Sequence, residues 1–322
     1  MRAVQVTTLD GPSAVQVVEV PDPVPAAGQV LVEVHAAGVS FPDVLQTQGL
    51  YQMKPELPFV PGAEVAGVVV SAPEGSGFGP GDRVVAFSVL GGFADLVAVD
   101  ASLVFALPDG VSFAAGAALP MNYLTVDFAL VRRGDLRAGE TVLVQGAAGG
   151  VGVASIQLAK SLDARVIAVV STEQKAEVAR RAGADDVVMV DGFLAAVKGL
   201  TGGRGVDIVV DPVGGDRFTD NLRALAPEGR LLVVGFTGGT IPEVKVNRLL
   251  LNNISVVGVG WGAFWMRDPA YLAEQWARLH PHLASGHLDP LLGNSYPLEQ
   301  AADALLEIGE RRALAKVLLS VR

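Results

Sequence analysis

The sequence predicts an α/β protein: a doubly wound parallel sheet with helices on both faces, joined to a smaller, partly closed β-domain. Three observations predict it. From about residue 121 to residue 260, six apolar runs alternate with helical stretches, and runs apolar on both faces belong to a parallel sheet covered on each side. Earlier in the chain, short alternating runs are broken by Pro and Gly clusters, the spacing of a small β-domain. At the first apolar run of the middle part, Thr141-Val-Leu-Val-Gln-Gly-Ala-Ala-Gly-Gly-Val-Gly152 leads through a turn of small residues into a helical pattern. The length of 322 residues exceeds that of a single ordinary core and agrees with two domains.

In chain order, β-type runs are expected at 2–6, 14–20, 29–34, 64–70, 83–87 and 94–99, separated by clusters such as Pro21-Asp-Pro-Val-Pro25 and Gly75-Ser-Gly-Phe-Gly-Pro-Gly81. The parallel sheet is expected to use 141–145, 165–170, 187–190, 206–210, 230–234 and 254–259, a full set of six for a dinucleotide-binding sheet. The tail carries helical patterns at 271–280 and 298–311 and a last strand at 315–321. It is too short to form a core alone and is expected to pack on the first domain. The expected division is therefore 1–120 completed by 265–322, with 121–264 as the second domain.

The turn bears on function. As a G-x-G-x-x-G pattern it reads Ala147-x-Gly149-x-x-Gly152, with Gly146 just before it. In a chain with 38 glycines the pattern alone is weak. Its setting is specific, because a strand precedes it, a helix follows, and a second strand at 165–170 ends where the ribose-binding residue belongs. Bare N–H groups and a helix N-terminus suit a pyrophosphate. At the ribose position an NAD site usually offers Asp or Glu to the 2′-OH. This chain offers Ser171-Thr172, then Glu173-Gln174-Lys175. A hydroxyl pair with a nearby lysine accepts a 2′-phosphate, so NADPH is the expected cofactor, and Glu173 is the residue that opposes this reading.

Composition narrows the class. Half the residues are hydrophobic, 18% are charged and the net charge is −10, with no cluster of Lys and Arg. Neither nucleic acid nor an anionic membrane surface is an expected partner. There is no apolar run of membrane-spanning length and no signal-peptide core near Met1, so a cytoplasmic enzyme is expected. The absence of cysteine excludes disulfides, thiolate metal sites and cysteine nucleophiles.

Taken together, several motifs occur in a telling order. Ala36-Ala-Gly-Val-Ser-Phe-Pro-Asp43 precedes Gln48-Gly-Leu-Tyr51, Pro58-Phe-Val-Pro-Gly-Ala-Glu-Val-Ala-Gly-Val68 and Gly81-Asp-Arg-Val84. Ala117-Ala-Leu-Pro120 with Thr125 precedes the glycine turn, and Asp211-Pro-Val-Gly-Gly215 precedes Val234-Gly-Phe236. Over essentially its whole length the chain resembles the medium-chain dehydrogenase/reductase superfamily, and within it the zeta-crystallin-like NADPH:quinone oxidoreductases. The resemblance implies a Rossmann dinucleotide-binding domain beside a GroES-like β-domain. Zinc members carry a His–Glu pair, ligating cysteines and a four-cysteine lobe. Here the pair reads Ala63-Glu64, and Gly81-Asp-Arg-Val84 runs directly into Val85-Ala-Phe-Ser-Val-Leu-Gly-Gly92, so no zinc is expected. Without a Lewis acid, an activated acceptor such as a quinone or enone is favoured over an unactivated alcohol.

The resemblance also implies roles. The backbone of Ala148, Gly149, Gly150, Val151 and Gly152 would hold the pyrophosphate. Ser171, Thr172 and Lys175, helped by Arg312, would hold the 2′-phosphate. Phe236 and Gly258-Val259-Gly260 would line the nicotinamide, with Thr125 near its amide or simply satisfied within its helix. Tyr51 would face the substrate or cap apolar surface, and Ser40 stands where many relatives carry Asn. Val190 replaces a tyrosine common near the 2′-phosphate, and Asp127 has no explanation in the family pattern.

His280-Pro-His282 is expected at a helix end as a surface or capping pair, and His35 as a packed or cleft-edge residue. Trp261, Phe264 and Trp265 serve core or dimer packing or line a flat substrate. The apolar strand 254–259 is expected to pair with its twin in a homodimer. Quinone reduction is the leading reading. Reduction of an alkenal, enone or enoyl thioester, and an NADPH-binding structural or RNA-binding role, are the alternatives.

Overall fold

The computed structural model describes all 322 residues, which divide into two compact units, Met1–Asn122 with Asp268–Arg322, and Tyr123–Arg267. In the second unit six parallel strands are ordered Asp186–Met189, Arg165–Val170, Thr141–Val144, Val206–Asp211, Leu225–Val233 and Ser255–Gly258. The chain starts at the centre, winds outward to Asp186–Met189, then returns to wind the other way, so its order reverses between Thr141–Val144 and Val206–Asp211. That reversal opens a crevice at the strands' C-terminal ends, where α/β sheets take their ligands. Leu143, Ile167, Val209 and Leu231 are fully buried, as expected for strands covered on both faces. Ser255–Gly258 is hydrogen-bonded to a strand on one side only, leaving an open sheet edge.

In the first unit a long strand, Gln29–Gly38, organises a seven-stranded sheet. One edge pairs with Glu64–Ser71; the other is shared, with 29–33 against Leu96–Asp100 and 36–38 against Lys316–Ser320. A register shift between Val34 and Ala36 bends the strand. Gly67 lies opposite that bend, where a Cβ would fall 1.9 Å from the Glu33 carbonyl oxygen, so only glycine lets the strands approach. The tail contributes its last strand and Leu298, Ala301, Leu305 and Val317 to this unit's core.

Strands Arg83–Phe87 and Arg165–Val170 fall where the sequence puts them. Two strands were not expected, Val104–Ala106 and Leu292–Pro297: the first has three residues, and the second is mostly polar or glycine. The helix Ala270–Ala284 also runs on through Pro281 instead of ending at His280. Proline removes one backbone donor, but Leu279 and Leu283 on either side are buried and hold the helix together. No helix is long and apolar enough to cross a membrane.

Candidate active site

The glycine turn is built for close backbone approach. Gly146 takes φ 59°, the Ala147 N–H donates to the Val169 carbonyl at 3.2 Å, and the Gly149 N–H returns to the Gly146 carbonyl at 3.1 Å. The helix Gly150–Ser161 leaves directly from it. A Cβ on Gly152 would meet the Gly146 carbonyl oxygen at 2.4 Å and the Ala147 backbone at 2.6 Å, so glycine there seats the helix on the turn. The N–H groups of Gly150, Val151 and Gly152 have no acceptor within the helix, and its first turn holds no acidic residue. This cradle fits a dinucleotide pyrophosphate. Ala148 is buried against it.

At the end of the next strand, Ser171 and Thr172 are exposed. Thr172 caps the helix Glu173–Arg181, its hydroxyl accepting the Lys175 N–H at 3.2 Å. Glu173 is not an unopposed charge: its carboxylate pairs with Arg180 at 2.7 Å. Lys175 is half-buried in the first turn of this helix. Arg312 belongs to the other unit, where it is exposed and pairs with Glu310 at 2.7 Å.

Facing the turn across the switch point is the end of Val206–Asp211. The buried Asp211 carboxylate accepts N–H groups of Val213 and Gly214, each at 2.9 Å, and the Asn221 amide at 3.1 Å. Burial nevertheless raises its pKa. Asn221 accepts in turn from Gln145 at 2.7 Å, which links this loop to the base of the glycine turn. Phe236 lies over Gly214, where a Cβ would come within 2.9 Å of its ring. The carbonyl of Gly258 accepts from Arg133 at 2.9 Å, the Val259 N–H bonds to the Val233 carbonyl at 3.0 Å, and Gly260 begins the helix Trp261–Trp265. The topology thus collects the glycine turn, Ser171 and Thr172, Phe236 and Gly258–Gly260 at the C-terminal side of one sheet.

Thr125 lies half-buried in the helix Pro120–Asp127, in the turn that follows Tyr123, whose hydroxyl donates to Gln157 at 2.6 Å. Asp127, at the end of that helix, is buried. Trp261 and Trp265 are buried with ring centroids 6.1 Å apart. Phe264 packs on Phe128 at 5.2 Å and lies under the Arg132 guanidinium at 4.4 Å. The aromatic cluster is therefore part of this unit's packing.

In the first unit, Ser40 caps the helix Phe41–Thr47, and its N–H donates to Asp43 at 2.7 Å. Its hydroxyl is already engaged, accepting from the Lys316 ammonium at 2.7 Å and donating to Glu64 at 3.1 Å. Lys316 and Glu64 form an ion pair buried almost completely, and the second Glu64 oxygen accepts the Met121 N–H at 2.7 Å. Burial pushes the Asp43 carboxyl up to about 7, and its Oδ1 accepts no hydrogen bond. Tyr51, half-buried, has its phenol pKa raised by burial and by the charge of Asp43.

Of this cluster the sequence assigns roles to Ser40 and Tyr51 alone, with Glu64 noted only in the place of the zinc members' His–Glu pair. Asp43 was legible as the acidic third residue after a Ser cap. Lys316, a charge within an apolar tail strand, gave a signal without a partner, because Glu64 lies 252 residues away. These donors do not fit zinc: Glu64 is engaged by an ammonium and Ala63 offers no ligand atom. His35 stacks on Phe113 at 4.3 Å, and His282 and His287 meet edge-on at 6.4 Å without a third ligating group.

Two family descriptions match the chain, an alcohol dehydrogenase GroES-like domain over residues 26–109 and a zinc-binding dehydrogenase over residues 150–280. Quinone oxidoreductase-like protein 2 of Rattus norvegicus is 39% identical over all of this chain and 92% of its own length. A probable oxidoreductase from Mycobacterium abscessus is 48% identical, with a TM-score of 0.92 over 100% of this chain and 99% of its own. The Escherichia coli quinone oxidoreductase, solved in complex with NADPH, is 31% identical, with a TM-score of 0.90 over 100% of both chains.

Proposed function

The chain belongs to the quinone oxidoreductase family of the medium-chain dehydrogenases and reductases, and on that premise we propose that it is an NADPH-dependent reductase delivering a hydride to a quinone without a metal. The observation that carries this reading is the pairing of the Gly146–Gly152 cradle with a ribose position made of hydroxyls, where the one nearby carboxylate is neutralised by Arg180. Hydride donation is the chemistry the bound cofactor supplies. The residues of the chain bind and orient. The N–H groups of Gly150, Val151 and Gly152 would hold the pyrophosphate, and Ser171, Thr172 and Lys175 would hold the 2′-phosphate. Phe236 and Gly258–Gly260 would line the nicotinamide, with Thr125 near its amide. Tyr51 donates its hydroxyl hydrogen to the acceptor's carbonyl oxygen. Ser40 works by position, since its hydroxyl is held between Lys316 and Glu64. The open edge of Ser255–Gly258 pairs with its twin in a homodimer.

An acceptor panel tests the reading. NADPH oxidation is followed with 1,4-benzoquinone, 9,10-phenanthrenequinone, 2-alkenals and crotonyl-CoA. The quinones are expected to turn over fastest; oxidation with crotonyl-CoA alone sinks the quinone assignment.

A further inference from the structure

Asp211 stands where the two sides of the second unit's crevice meet. Its carboxylate is 1% exposed, and both oxygens are engaged. Oδ1 accepts the Val213 and Gly214 N–H groups, each at 2.9 Å, and folds 211–214 into a tight loop with Gly214 at φ 66°. Onto that loop the chain lays the segment that carries Phe236. The Val234 N–H donates to the Asp211 carbonyl at 3.0 Å, the Thr237 N–H to that of Pro212 at 3.1 Å and the Gly238 N–H to that of Val213 at 2.7 Å. In return the Gly215 N–H donates to the Thr240 carbonyl at 3.2 Å. Phe236 itself closes over Gly214, where a Cβ would meet the ring at 2.9 Å. The ring follows the loop, and the loop follows one carboxylate.

The second oxygen leads to the glycine turn. Oδ2 accepts the Asn221 amide at 3.1 Å, and Asn221 accepts the Gln145 amide at 2.7 Å, with Asn221 and Gln145 both fully buried. Gln145 immediately precedes Gly146, and a Cβ on Gly146 would stand 3.1 Å from the Val213 side chain. Turn and loop are therefore in contact and are also tied by side chains. The tie has one direction: each amide donates towards the carboxylate, which only accepts. Its far end shows the consequence, because Gln145 Oε1 is buried and accepts nothing.

We propose that Asp211 is a positioning residue for hydride transfer, holding the Phe236 wall in fixed register with the glycine turn. The inference rests on the reductase reading above. A nicotinamide on the wall and a pyrophosphate in the turn belong to one cofactor, so the spacing of the two supports sets where the nicotinamide lies. Misplacement by about 1 Å costs about a hundredfold in rate. Asp211 is buried and acts through Phe236. The turn keeps its own shape without Asp211, since the close approach at Gly152 is local to it.

Two variants separate position from mere bulk. Asp211→Ala strips the Val213 and Gly214 N–H groups of their acceptor. Asp211→Asn keeps it: the asparagine oxygen takes both N–H groups, its NH2 group donates to Asn221, and the Asn221 and Gln145 amides turn over. The idle Gln145 Oε1 then accepts from Asn221.

The first arm of the test uses the protein without cofactor. Amide hydrogen exchange over 211–215 and 234–240 is expected to quicken together in Asp211→Ala, by at least about tenfold, and to stay near wild type in Asp211→Asn. This arm needs no turnover, so it stands even if the acceptor panel overturns the reductase reading. In the second arm, Asp211→Ala is expected to lose about a hundredfold in kcat with a quinone and about tenfold in NADPH affinity. Binding of 2′,5′-ADP, which lacks the nicotinamide, is expected to be unchanged. Asp211→Asn should return kcat to within about fivefold of wild type. A folded Asp211→Ala with unaltered exchange over 234–240, or with equal losses for NADPH and 2′,5′-ADP, overturns the proposal. Should that variant misfold, Asn221→Leu decides, because it cuts the tie to Gln145 and leaves both N–H bonds of the carboxylate in place. Its kcat is expected to fall about tenfold with 2′,5′-ADP binding retained; a normal kcat overturns the proposal.

Discussion

Single residues carry the selectivity proposed for this chain. Lys175 is the only cation beside the exposed hydroxyls of Ser171 and Thr172 in that stretch of sequence, and Glu173 is drawn to Arg180. A charge-assisted contact to a phosphate is worth about 1.5–3 kcal/mol. Lys175→Ala should therefore raise KM for NADPH at least tenfold while leaving KM for NADH nearly unchanged; equal effects on both would place Lys175 away from the 2′-phosphate.

The buried ion pair allows a second residue-scale prediction. Removing one member of such a pair strands the other, at a cost of about 3–5 kcal/mol. Lys316→Met should lower the melting temperature by several degrees, and Lys316→Met with Glu64→Gln should recover much of the loss. Asp43 contributes in the opposite sense to an ordinary carboxylate. Its folded pKa, about 7, lies above the unfolded value near 3.8, so the native state binds the extra proton. Its contribution to stability is complete below the unfolded value and fades as pH rises through about 7.

Elements decide how units meet their surroundings. The sheet of the second unit ends on Ser255–Gly258, with Val256 37% exposed, while Leu250 and Leu251 on the preceding helix are 76% and 74% exposed. An apolar open edge of this kind is seldom left bare. Sedimentation at micromolar concentration should give a dimer for the wild type and a monomer for Val256→Lys; a monomeric wild type removes the paired-edge reading.

Legibility from sequence followed the same scale. Strands such as Arg165–Val170 were readable because burial on both faces leaves a continuous apolar run, Val166–Val170. Leu292–Pro297, reading Leu-Gly-Asn-Ser-Tyr-Pro, was not, because it lies at the sheet's edge and is held by pairing with Lys316–Ser320 rather than by its own pattern. The glycine turn was readable because its requirement is local: a Cβ at Gly152 collides with atoms five and six residues earlier. The Ser40–Glu64–Lys316 cluster was not, since its members are brought together by the antiparallel pairing of Lys316–Ser320 with Gln29–Gly38.

For the whole molecule, chemistry is divided between two units of different architecture. One supplies a switch-point crevice with a phosphate cradle; the other supplies a sealed charge cluster next to a phenol. Neither needs a metal: the place a ligand pair would occupy reads Ala63-Glu64, and its glutamate is balanced by Lys316. The account's central claim, metal-independent hydride transfer from NADPH, is tested by steady-state oxidation of NADPH by 1,4-benzoquinone on protein dialysed against a chelator. The predicted result is full activity after dialysis, with NADPH strongly preferred over NADH. Activity lost on chelation and restored by zinc, or a preference for NADH, would contradict it.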